Sequence, residues 1–478
     1  MLWLCLDFPK LALEIFTRGQ AAAEPLIVCE GQGRTRQVLL ANTAAMHAGI
    51  VPGMRVSAAY ALAGGVRVIP RAHCAESDAL RHLATWAGQF SSLVHRVEPR
   101  ALLLEVGGSL ALFGGVDKLL PQVEQGIAGL GYTAQPGIAP TPRAATWLAR
   151  AAGGTTVTRA SQLAGVLADL PLTVLDLAPA QQAQLAGMGI GRLGDCQRLP
   201  RDGLARRFGP AFLQQLDQAY GRAPDLREPF VAPATFASRL ELPGAVEHVQ
   251  GLVFGLGRLI AELCGWLRAH SAGVTALSLQ LVHEKAMVTR IGLELVAATR
   301  DQKHLTDLFR ERLGQAALPA AVEALVLGVT RHQPQAPAAA DLFIPRQRSE
   351  SSAAAIVERL RARLGKERVT GLQVLADHRP ERAQGHALSA VVHAPVSGGL
   401  RPTWLLPQPV LLEQEGEQPR LDSVLTLEGM AERIESGWWD GGDAGRDYYR
   451  ARNRAGEAYW IFRELKPPYR WWLHGIFG

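Results

Sequence analysis

A glycine-rich turn followed by arginines is the segment whose residue types are best suited to bind a charged group. The residues concerned are Gly187, Gly189, Gly191, Arg192, Arg206 and Arg207. A tight turn between two helices whose backbone amides are free can hold a phosphate, as helix-hairpin-helix modules hold the phosphates of DNA. The same residues also fit a plain turn between two packed helices, and the segment alone leaves both interpretations open.

The cysteines do not indicate a metal centre or a disulfide framework. Five cysteines are scattered along the chain, with no Cys-x-x-Cys pair and no histidine at zinc-finger spacing. We therefore expect no bound metal and no cofactor. The net charge of +6 permits binding to nucleic acid, but charge alone does not establish it.

Length and composition limit the class of protein. A chain of 478 residues exceeds one ordinary hydrophobic core, so several domains are expected. Hydrophobic residues make up 48% of the chain and charged residues 20%, which is typical of a folded, soluble protein. No apolar run reaches the roughly 18–20 residues needed to span a bilayer, and the N-terminus reads as a buried strand rather than a secretion signal. These features predict a cytoplasmic protein.

Short apolar runs alternate with helical stretches in the first third of the chain, a pattern typical of an α/β or α+β domain. Leu2–Leu6 and Ala101–Val106 read as strands buried on both faces. Leu26–Glu30 and Gln37–Ala41 read as further strands, and Ala75 to about Val94 reads as a helix.

The pattern then changes twice along the chain. Short helices up to about Arg222 give way, after a proline-bearing link, to strands and helices that predict a compact α+β domain. Its predicted elements are a helix over Val246–His270, strands over Val274–Glu284, Thr289–Val296 and Glu323–Val329, and a helix over Gln302–Leu313. The stretch His332–Ala340, rich in proline, alanine and glutamine, reads as a linker.

The last segment is rich in aromatic residues. Six of the ten tryptophans and four of the seven tyrosines lie beyond residue 400. Arg446–Arg454 and Glu457–Arg463 read as two strands joined through the turn residues Asn453–Gly456. We therefore predict a small β-rich C-terminal module in which most of the tryptophans serve as core.

Several of these segments, in this order, resemble the Y-family translesion DNA polymerases, and more closely the ImuB subgroup of that family. The first strand with Leu13-Glu14 is similar to the first palm motif of the family, and Leu104-Glu105-Val106 is similar to the end of the second. The tail resembles ImuB-like proteins in three segments that ordinary Y-family polymerases lack: Glu432–Trp439, Arg446–Tyr449 and Trp472–Phe477. The resemblance covers essentially the whole chain.

The resemblance implies a multidomain α+β fold shaped like a right hand. The palm would comprise residues 1–20 and 76–160, the fingers 21–75, the helical thumb 161–230 and the little finger 236–332. A linker over 333–350 and a C-terminal partner-binding region over 351–478 would complete the chain. The thumb, with the glycine-rich turn, and the little finger are then the parts expected to contact primer-template DNA.

The resemblance also implies that the polymerase chemistry has been lost. Phosphoryl transfer by a polymerase needs two divalent cations roughly 3.5–4 Å apart, held by carboxylates. The three ligand positions of the family fall at Cys5, Arg100 and Ala101, which carry a thiol, a cation and a methyl group. Because Mg²⁺ prefers hard oxygen ligands, we expect no metal site and no catalytic residue.

The nucleotide pocket implied by the resemblance is altered as well. The positions that contact the incoming triphosphate in the family are Thr43 and Met46 here, and Thr141-Pro142 replaces an Asn-Lys pair. The aromatic residue that excludes a ribose hydroxyl in the family falls at Lys10. These substitutions together predict that nucleotide binding has lapsed.

A short segment after the linker resembles the pentapeptide by which bacterial proteins dock on the β sliding clamp. Its residues are Ala339, Ala340, Asp341, Leu342 and Phe343. Leu342 and Phe343 would enter an apolar pocket, while the two alanines replace residues that usually add affinity. The alternative is a linker segment that folds back on its own domain.

The aromatic tail is the third surface for which the resemblance implies a role. Its partners would be an ImuA-type, RecA-like protein and an error-prone replicative-type DNA polymerase. The candidate contact residues are Trp438, Trp439, Tyr448, Tyr449, Trp471 and Trp472. Aromatic residues dominate interface hot spots, although a module this small also needs them as core.

The resemblance therefore predicts a non-catalytic adaptor in damage-induced mutagenic translesion DNA synthesis. It would link the clamp, DNA and the error-prone polymerase. The alternative is an active Y-family polymerase that uses displaced acids, for which Asp7, Glu98 and Glu105 are the neighbouring candidates.

Overall fold

A computed structural model describes residues 1–18, 24–151, 154–175, 177–284, 287–335, 346–387 and 400–478. The chain divides into two compact units, Met1–Arg363 and Leu364–Gly478. In chain order the first elements are β1 (Trp3–Asp7), α1 (Leu11–Thr17), β2 (Leu26–Glu30), β3 (Gln37–Ala41), α2 (Thr43–His47), α3 (Val56–Leu62), β4 (Arg67–Pro70), α4 (His73–Ala87), β5 (Val94–Val97), β6 (Ala101–Glu105), α5 (Leu110–Phe113), α6 (Val116–Leu130), β7 (Gln135–Ala139), α7 (Pro142–Arg150) and β8 (Thr155–Thr156).

The palm segment is built on one five-stranded sheet in the order β5-β6-β1-β7-β8. Strand β1 lies between β6 and β7, antiparallel to both, and all of its residues are buried. Helices α4 and α6 cover the face that carries Leu4, and α7 covers the face that carries Cys5. The prediction of a strand buried on both faces is confirmed, because helices cover both sides of the sheet.

The fingers segment has its own sheet, in the order β3-β2-β4, and its own small core. Asn42 caps α2, since its side chain accepts a hydrogen bond from the amide of Ala45 at 2.9 Å. Strands β2 and β3 have the predicted bounds. The predicted helix from Ala75 to Val94 is too long, because α4 ends at Ala87 and the sheet resumes at Val94.

The thumb segment is a bundle of short helices. They are α8 (Ala160–Ala168), α9 (Pro179–Gly187), α10 (Leu193–Gln197), α11 (Arg201–Phe208) and α12 (Pro210–Ala219). Their buried side chains share one core with α7 and with the Cys5 face of the palm sheet. The hydroxyl of Thr141 donates a hydrogen bond to the carbonyl of Ala219 at 2.8 Å, which ties the start of α7 to the end of α12. The thumb is therefore packed on the palm.

The little-finger segment is an antiparallel sheet covered by two helices. Its elements are β9 (Ala237–Val246), α13 (Val249–Ala269), β10 (Ala272–His283), β11 (Val288–Thr299), α14 (Gln302–Leu313) and β12 (Val322–Pro334). The strand order is β11-β10-β12-β9. The predicted helices and strands of this segment are confirmed, and β9 is an additional edge strand. Helix α13 also packs against α4 and α6 of the palm segment.

Helix α15 (Arg346–Leu364) follows and packs against the little finger. It begins inside the stretch 333–350 that the sequence predicted as a linker, and β12 extends to Pro334 at the other end of that stretch. The first compact unit accordingly ends at Arg363, whereas the C-terminal region was predicted to begin at residue 351.

The second unit is rich in β-structure, as predicted. Its strands are β13 (Gly371–Val374), β14 (Gln384–Ala387), β15 (Trp404–Leu411), β16 (Glu413–Glu415), β17 (Gln418–Leu421), β18 (Ser423–Val424), β19 (Thr426–Ser436), β20 (Ala444–Arg452), β21 (Ala458–Glu464) and β22 (Trp471–Ile476). Its largest sheet has the order β15-β22-β21-β20-β19. The fold is thus a multidomain α+β fold with a β-rich C-terminal module. Among the residues described, no helix combines the length and the apolar character needed to cross a membrane.

Candidate functional site

Of the three ligand positions implied by the family resemblance, Cys5 lies in the central strand β1, Ala101 begins β6, and Arg100 lies in the turn just before β6. Cys5 is fully buried and pairs in register with Leu103, while Ala101 is buried opposite Asp7. Burial raises the pKa of the Cys5 thiol to about 12. The thiol therefore stays protonated at neutral pH and is a poor metal ligand.

Arg100 forms an ion pair with Asp7. Its Nε lies 3.1 Å from Oδ1 of Asp7, and the Asp7 side chain is only 1% exposed, against 43% for Arg100. A carboxylate taken out of water is costly unless a positive group lies beside it. The guanidinium of Arg100 thus places a positive charge beside the buried carboxylate of Asp7. Asp7 is therefore a buried, paired residue at the end of its strand and is not solvated.

The other two neighbouring acids have structural partners. Glu105 accepts hydrogen bonds from the amides of Leu2 and Gly107 at 3.0 and 3.1 Å, and so closes the turn after β6. Glu98 lies at the surface, 3.5 Å from Arg96. Glu105 pairs in register with Trp3, four residues from Asp7, which separates the two acids by about 13 Å along the strand.

The residues at this place do not fit the pair of divalent cations that a catalytically active Y-family polymerase would hold. Metals in two-metal sites lie roughly 3.5–4 Å apart, whereas Asp7 and Glu105 stand at opposite ends of the paired strands. Within the described ranges, no group of three or more His, Cys, Asp or Glu side chains could hold a metal ion.

The altered nucleotide-pocket positions offer few groups to a triphosphate. Lys10, Thr43 and Met46 are exposed at the starts of α1 and α2, and Pro142 is buried as the first residue of α7. The neighbouring Arg143 donates a hydrogen bond to the side chain of Gln218 at 3.0 Å. That contact directs the guanidinium towards the thumb helix α12.

The glycine-rich turn of the thumb has already used its backbone amides. The amides of Gly191 and Arg192 donate to one carboxylate oxygen of Asp195 at 3.2 and 3.0 Å. The hydrogen bonds from these amides lower the pKa of Asp195. The amides of Met188, Gly189, Ile190 and Leu193 donate to backbone carbonyls. A phosphate at this turn would have to displace Asp195, so the amide-based interpretation is weakened and the neighbouring arginines become the better candidates.

The structure brings some of the candidate arginines to this turn. Arg207 places Nη1 2.8 Å from Sδ of Met188, inside the turn. Arg206 is exposed beside it, in the last turn of α11. Arg192 is exposed and faces Asp169 at 3.2 Å. Arg206 and Arg207 therefore offer the more available positive charge to a phosphate backbone.

The outer face of the little-finger sheet carries both positively and negatively charged side chains. The side chain of Arg239 on β9 contacts Glu241 at 2.7 Å, and both are exposed. On β11, the exposed Arg290 and Glu294 lie on the same face, since residues two apart share a side of a strand. A face with balanced charge contributes little to salt-dependent binding of DNA. The thumb arginines are the stronger candidates.

Most of the candidate aromatic residues in the tail belong to the interior of the C-terminal sheet. Tyr448 and Trp471 are almost fully buried. Tyr448 stacks on Trp460 at 4.2 Å, and its hydroxyl lies 2.7 Å from Nδ1 of His474. Tyr449 and Trp472 are half-buried against other rings of the sheet. The partner role remains open mainly for the two residues that are left.

Trp438 and Trp439 stand exposed on the turn between β19 and β20, and we call them the tryptophan pair. They are 77% and 61% exposed, and their rings meet edge to face at 5.5 Å. Arg379 stabilises this turn, because its guanidinium donates hydrogen bonds to the carboxylate of Asp440 at 2.7 and 2.9 Å. Gly437 is favoured there, because its φ is +90° and a Cβ on it would lie 2.4 Å from the carbonyl oxygen of Gly442.

The segment Ala339–Phe343, which resembles a clamp-binding peptide, lies outside the described residues.

A buried ionic cluster that sequence reasoning missed joins the palm to the little finger. Nη1 of Arg18 lies 2.7 Å from Glu262, and the hydroxyl of Ser238 donates to Glu262 at 2.5 Å, with His82 at 3.3 Å. Burial alone would raise the pKa of Glu262, but the charge of Arg18, with His82 and Ser238, lowers it to about 2. No sequence signal connects residues so far apart in the chain.

Comparison with known proteins defines the class. Residues 13–150 match the impB/mucB/samB family, whose domain is that of the Y-family polymerases. This segment of the chain is therefore similar to the Y-family DNA polymerases. More particularly, the chain is similar to Protein ImuB of Caulobacter vibrioides (strain NA1000 / CB15N), with 29% identity over 467 residues, which are 90% of this chain and 100% of that protein. The resemblance described from the sequence is confirmed.

Two further proteins align with smaller parts of the chain. DNA polymerase IV of Yersinia pestis (strain Pestoides F) is 28% identical over 193 residues, which are 39% of this chain and 54% of that protein. Among solved structures, DinB from Sulfolobus solfataricus aligns with 70% of this chain and 100% of its own, at 18% identity and a TM-score of 0.41.

Proposed function

We propose that this protein is a non-catalytic adaptor in damage-induced mutagenic translesion DNA synthesis, acting in the cytoplasm. It links the β sliding clamp and primer-template DNA to an error-prone replicative-type DNA polymerase, together with an ImuA-type, RecA-like partner. The observation that carries the proposal is the ion pair between Arg100 and Asp7 at the end of strand β1 in the palm segment.

The ion pair supports the loss of catalysis for an electrostatic reason. A polymerase must concentrate positive metal charge next to the attacking and leaving oxygens. Here the nearest carboxylate, Asp7, is buried and neutralised by Arg100, and the thiol of Cys5 is buried and protonated. A fold that keeps its palm without this chemistry acts through its binding surfaces.

Primer extension tests the proposal directly. The purified full-length protein, supplied with primer-template DNA, deoxynucleotides and Mg²⁺ or Mn²⁺, is expected to add no nucleotide, while a DNA polymerase IV in the same buffer extends the primer. The control variant Asp7→Asn distinguishes the adaptor from the alternative, an active polymerase that uses displaced acids. If the wild type extends the primer and Asp7→Asn does not, displaced acids support catalysis and the adaptor proposal fails.

Clamp binding is the second part of the proposal. The segment Ala339–Phe343 resembles a clamp-binding pentapeptide, in which Leu342 and Phe343 are the apolar anchors. Replacing both anchors by alanine should abolish retention on immobilised β clamp. Replacing Ala339 by serine is the matched control, because it changes the same segment without removing an anchor. Equal retention of all three proteins would refute this site.

The tryptophan pair is the proposed contact for a protein partner. Exposed tryptophans held on a fixed turn lose little conformational freedom on binding, which suits an interface hot spot. The variant Trp438→Ala/Trp439→Ala should weaken binding to the ImuA-type protein or to the error-prone polymerase by at least about tenfold. Trp404→Ala is the control, since Trp404 is also exposed, at 67%, but lies on β15 away from the turn. A similar loss in both variants would contradict a specific site.

A further inference from the structure

Helix α15 has one face docked on the little finger. Glu358 and Ala362, four residues apart, are buried. One carboxylate oxygen of Glu358 accepts hydrogen bonds from the amides of Val296 and Ala297 on β11 at 2.6 and 3.2 Å, and the other lies 2.5 Å from Nε2 of His304. These contacts fix the rotation of the helix about its axis.

The opposite face of α15 carries an apolar stripe. Ile356, Leu360 and Leu364 are 56%, 42% and 49% exposed, and they follow one another at intervals of four residues. At about 100° per residue, the three side chains lie on the side of the helix away from Glu358 and Ala362. The stripe is about 12 Å long. Because the docked face is already satisfied, packing on the little finger does not account for these residues.

The charges beside the stripe restrict what can cover it. Between Ala353 and Leu364 the basic residues are Arg359, Arg361 and Arg363, and the one acid, Glu358, points into the docked face. Arg359 and Arg363 lie along one border of the stripe and are exposed. A second copy of the same helix would bring arginines against arginines, which disfavours self-association. A helix with acidic borders would instead meet opposite charges along the apolar seam.

We propose that the stripe formed by Ile356, Leu360 and Leu364 docks an acidic amphipathic helix of a partner protein, whose carboxylates pair with Arg359 and Arg363. This is the helix-to-helix mode of recognition, in which apolar anchors at helical spacing give affinity and bordering charges give specificity. A membrane surface is a weaker fit, because the stripe covers about two turns and has no aromatic anchor. The inference is independent of whether the palm is catalytic.

Two synthetic peptides of about three heptads test the proposal, both with leucine at the core positions and with either glutamate or lysine at the border positions. Fluorescence anisotropy with the full-length protein should show binding of the glutamate peptide and little binding of the lysine peptide. The variant Ile356→Ser/Leu360→Ser should lower the affinity for the glutamate peptide by at least about tenfold. Both positions are exposed, so the fold should be kept, which circular dichroism verifies.

Charge reversal provides a second, independent variant. Arg359→Glu/Arg363→Glu should exchange the preference, so that the lysine peptide binds and the glutamate peptide does not. The proposal is overturned if both peptides bind wild type alike, or if neither binds. It is also overturned if the serine variant abolishes a dimer seen by sedimentation, or abolishes binding to phosphatidylglycerol vesicles without changing peptide affinity.

Discussion

The buried pair between Arg18 and Glu262 should hold the little finger on the palm, and removing one partner should loosen that junction. The pKa of Glu262 is lowered from 4.5 to about 2, and at about 1.4 kcal/mol per unit this corresponds to about 3 kcal/mol of stability. The same order follows from the 3–5 kcal/mol typical of breaking a buried ion pair. Glu262→Gln should therefore cost about 3 kcal/mol, chiefly because it leaves the buried cation Arg18 without its anion.

The sign of the pH dependence follows from the direction of the shift. Because the folded-state pKa is depressed, the contribution is fully present above about 4.5 and is lost as the pH falls towards 2. Glu262→Gln should remove this part of the acid sensitivity. The variant Arg18→Met/Glu262→Gln should be more stable than the sum of the two single changes predicts, since it leaves no unpaired charge.

Native-state hydrogen exchange of α13 is the appropriate assay, because a protein of two units need not unfold in one step. A loss of about 3 kcal/mol should accelerate exchange of the α13 amides by roughly 150-fold. Arg239→Gln is a control, as its ion pair with Glu241 is exposed. An acceleration below about fivefold in Glu262→Gln, or additive effects in the double variant, would refute the reasoning.

Three further predictions follow from other charged groups. The hydrogen bond to Glu358 raises the pKa of His304, so docking of α15 should be firmest below pH 6.5 and should weaken as the pH rises through the raised pKa. Hydrogen exchange of the α15 amides, corrected for intrinsic rates, measures this pH dependence. The variant His304→Gln should make docking of α15 nearly independent of pH over that range. Arg206→Ala/Arg207→Ala should reduce the slope of log affinity for duplex DNA against log salt by about two, whereas Arg201→Ala, whose guanidinium is held by Asp217 at 2.6 Å, should change it less. Burial lowers the pKa of His474 to about 4, so the C-terminal sheet should lose thermal stability as the pH falls from 6.5 towards 4, which near-ultraviolet circular dichroism of the full chain can follow.

The sequence predicts elements best where apolar spacing is unambiguous. Helix α14 has the predicted bounds, because its leucines follow one helical face and Asp301 caps its start. The first palm strand is likewise predicted by a continuous apolar run. Strand β9 was missed, since its proline and glycine interrupt the pattern. Strand β19 was missed because its exposed polar residues leave no apolar alternation.

The candidate site was likewise predicted from the sequence only in part. The resemblance to the family places the expected ligand positions at Cys5, Arg100 and Ala101, because they can be counted from Glu14 and from Leu104-Glu105. The partner of Arg100 depends on strand register, which places Asp7 next to it and not in solvent. One of the two interpretations of the thumb turn required free backbone amides, but the side chain of Asp195 accepts hydrogen bonds from the amides of Gly191 and Arg192. Such contacts depend on three-dimensional proximity that spacing does not encode.

Ion pairs between buried or half-buried groups hold three parts of this protein in place. Arg18 and Glu262 join the little finger to the palm, Glu358 docks α15, and Arg379 fixes the turn of the tryptophan pair. Such pairs add little net stability compared with apolar packing, but misplacing one partner is costly, so they select one geometry over near alternatives. A catalytic polymerase must let its domains move with each nucleotide, whereas an adaptor gains from surfaces that are fixed before the partner arrives. The distribution of these ion pairs therefore fits the proposed adaptor function, which we also infer from the ion pair between Arg100 and Asp7.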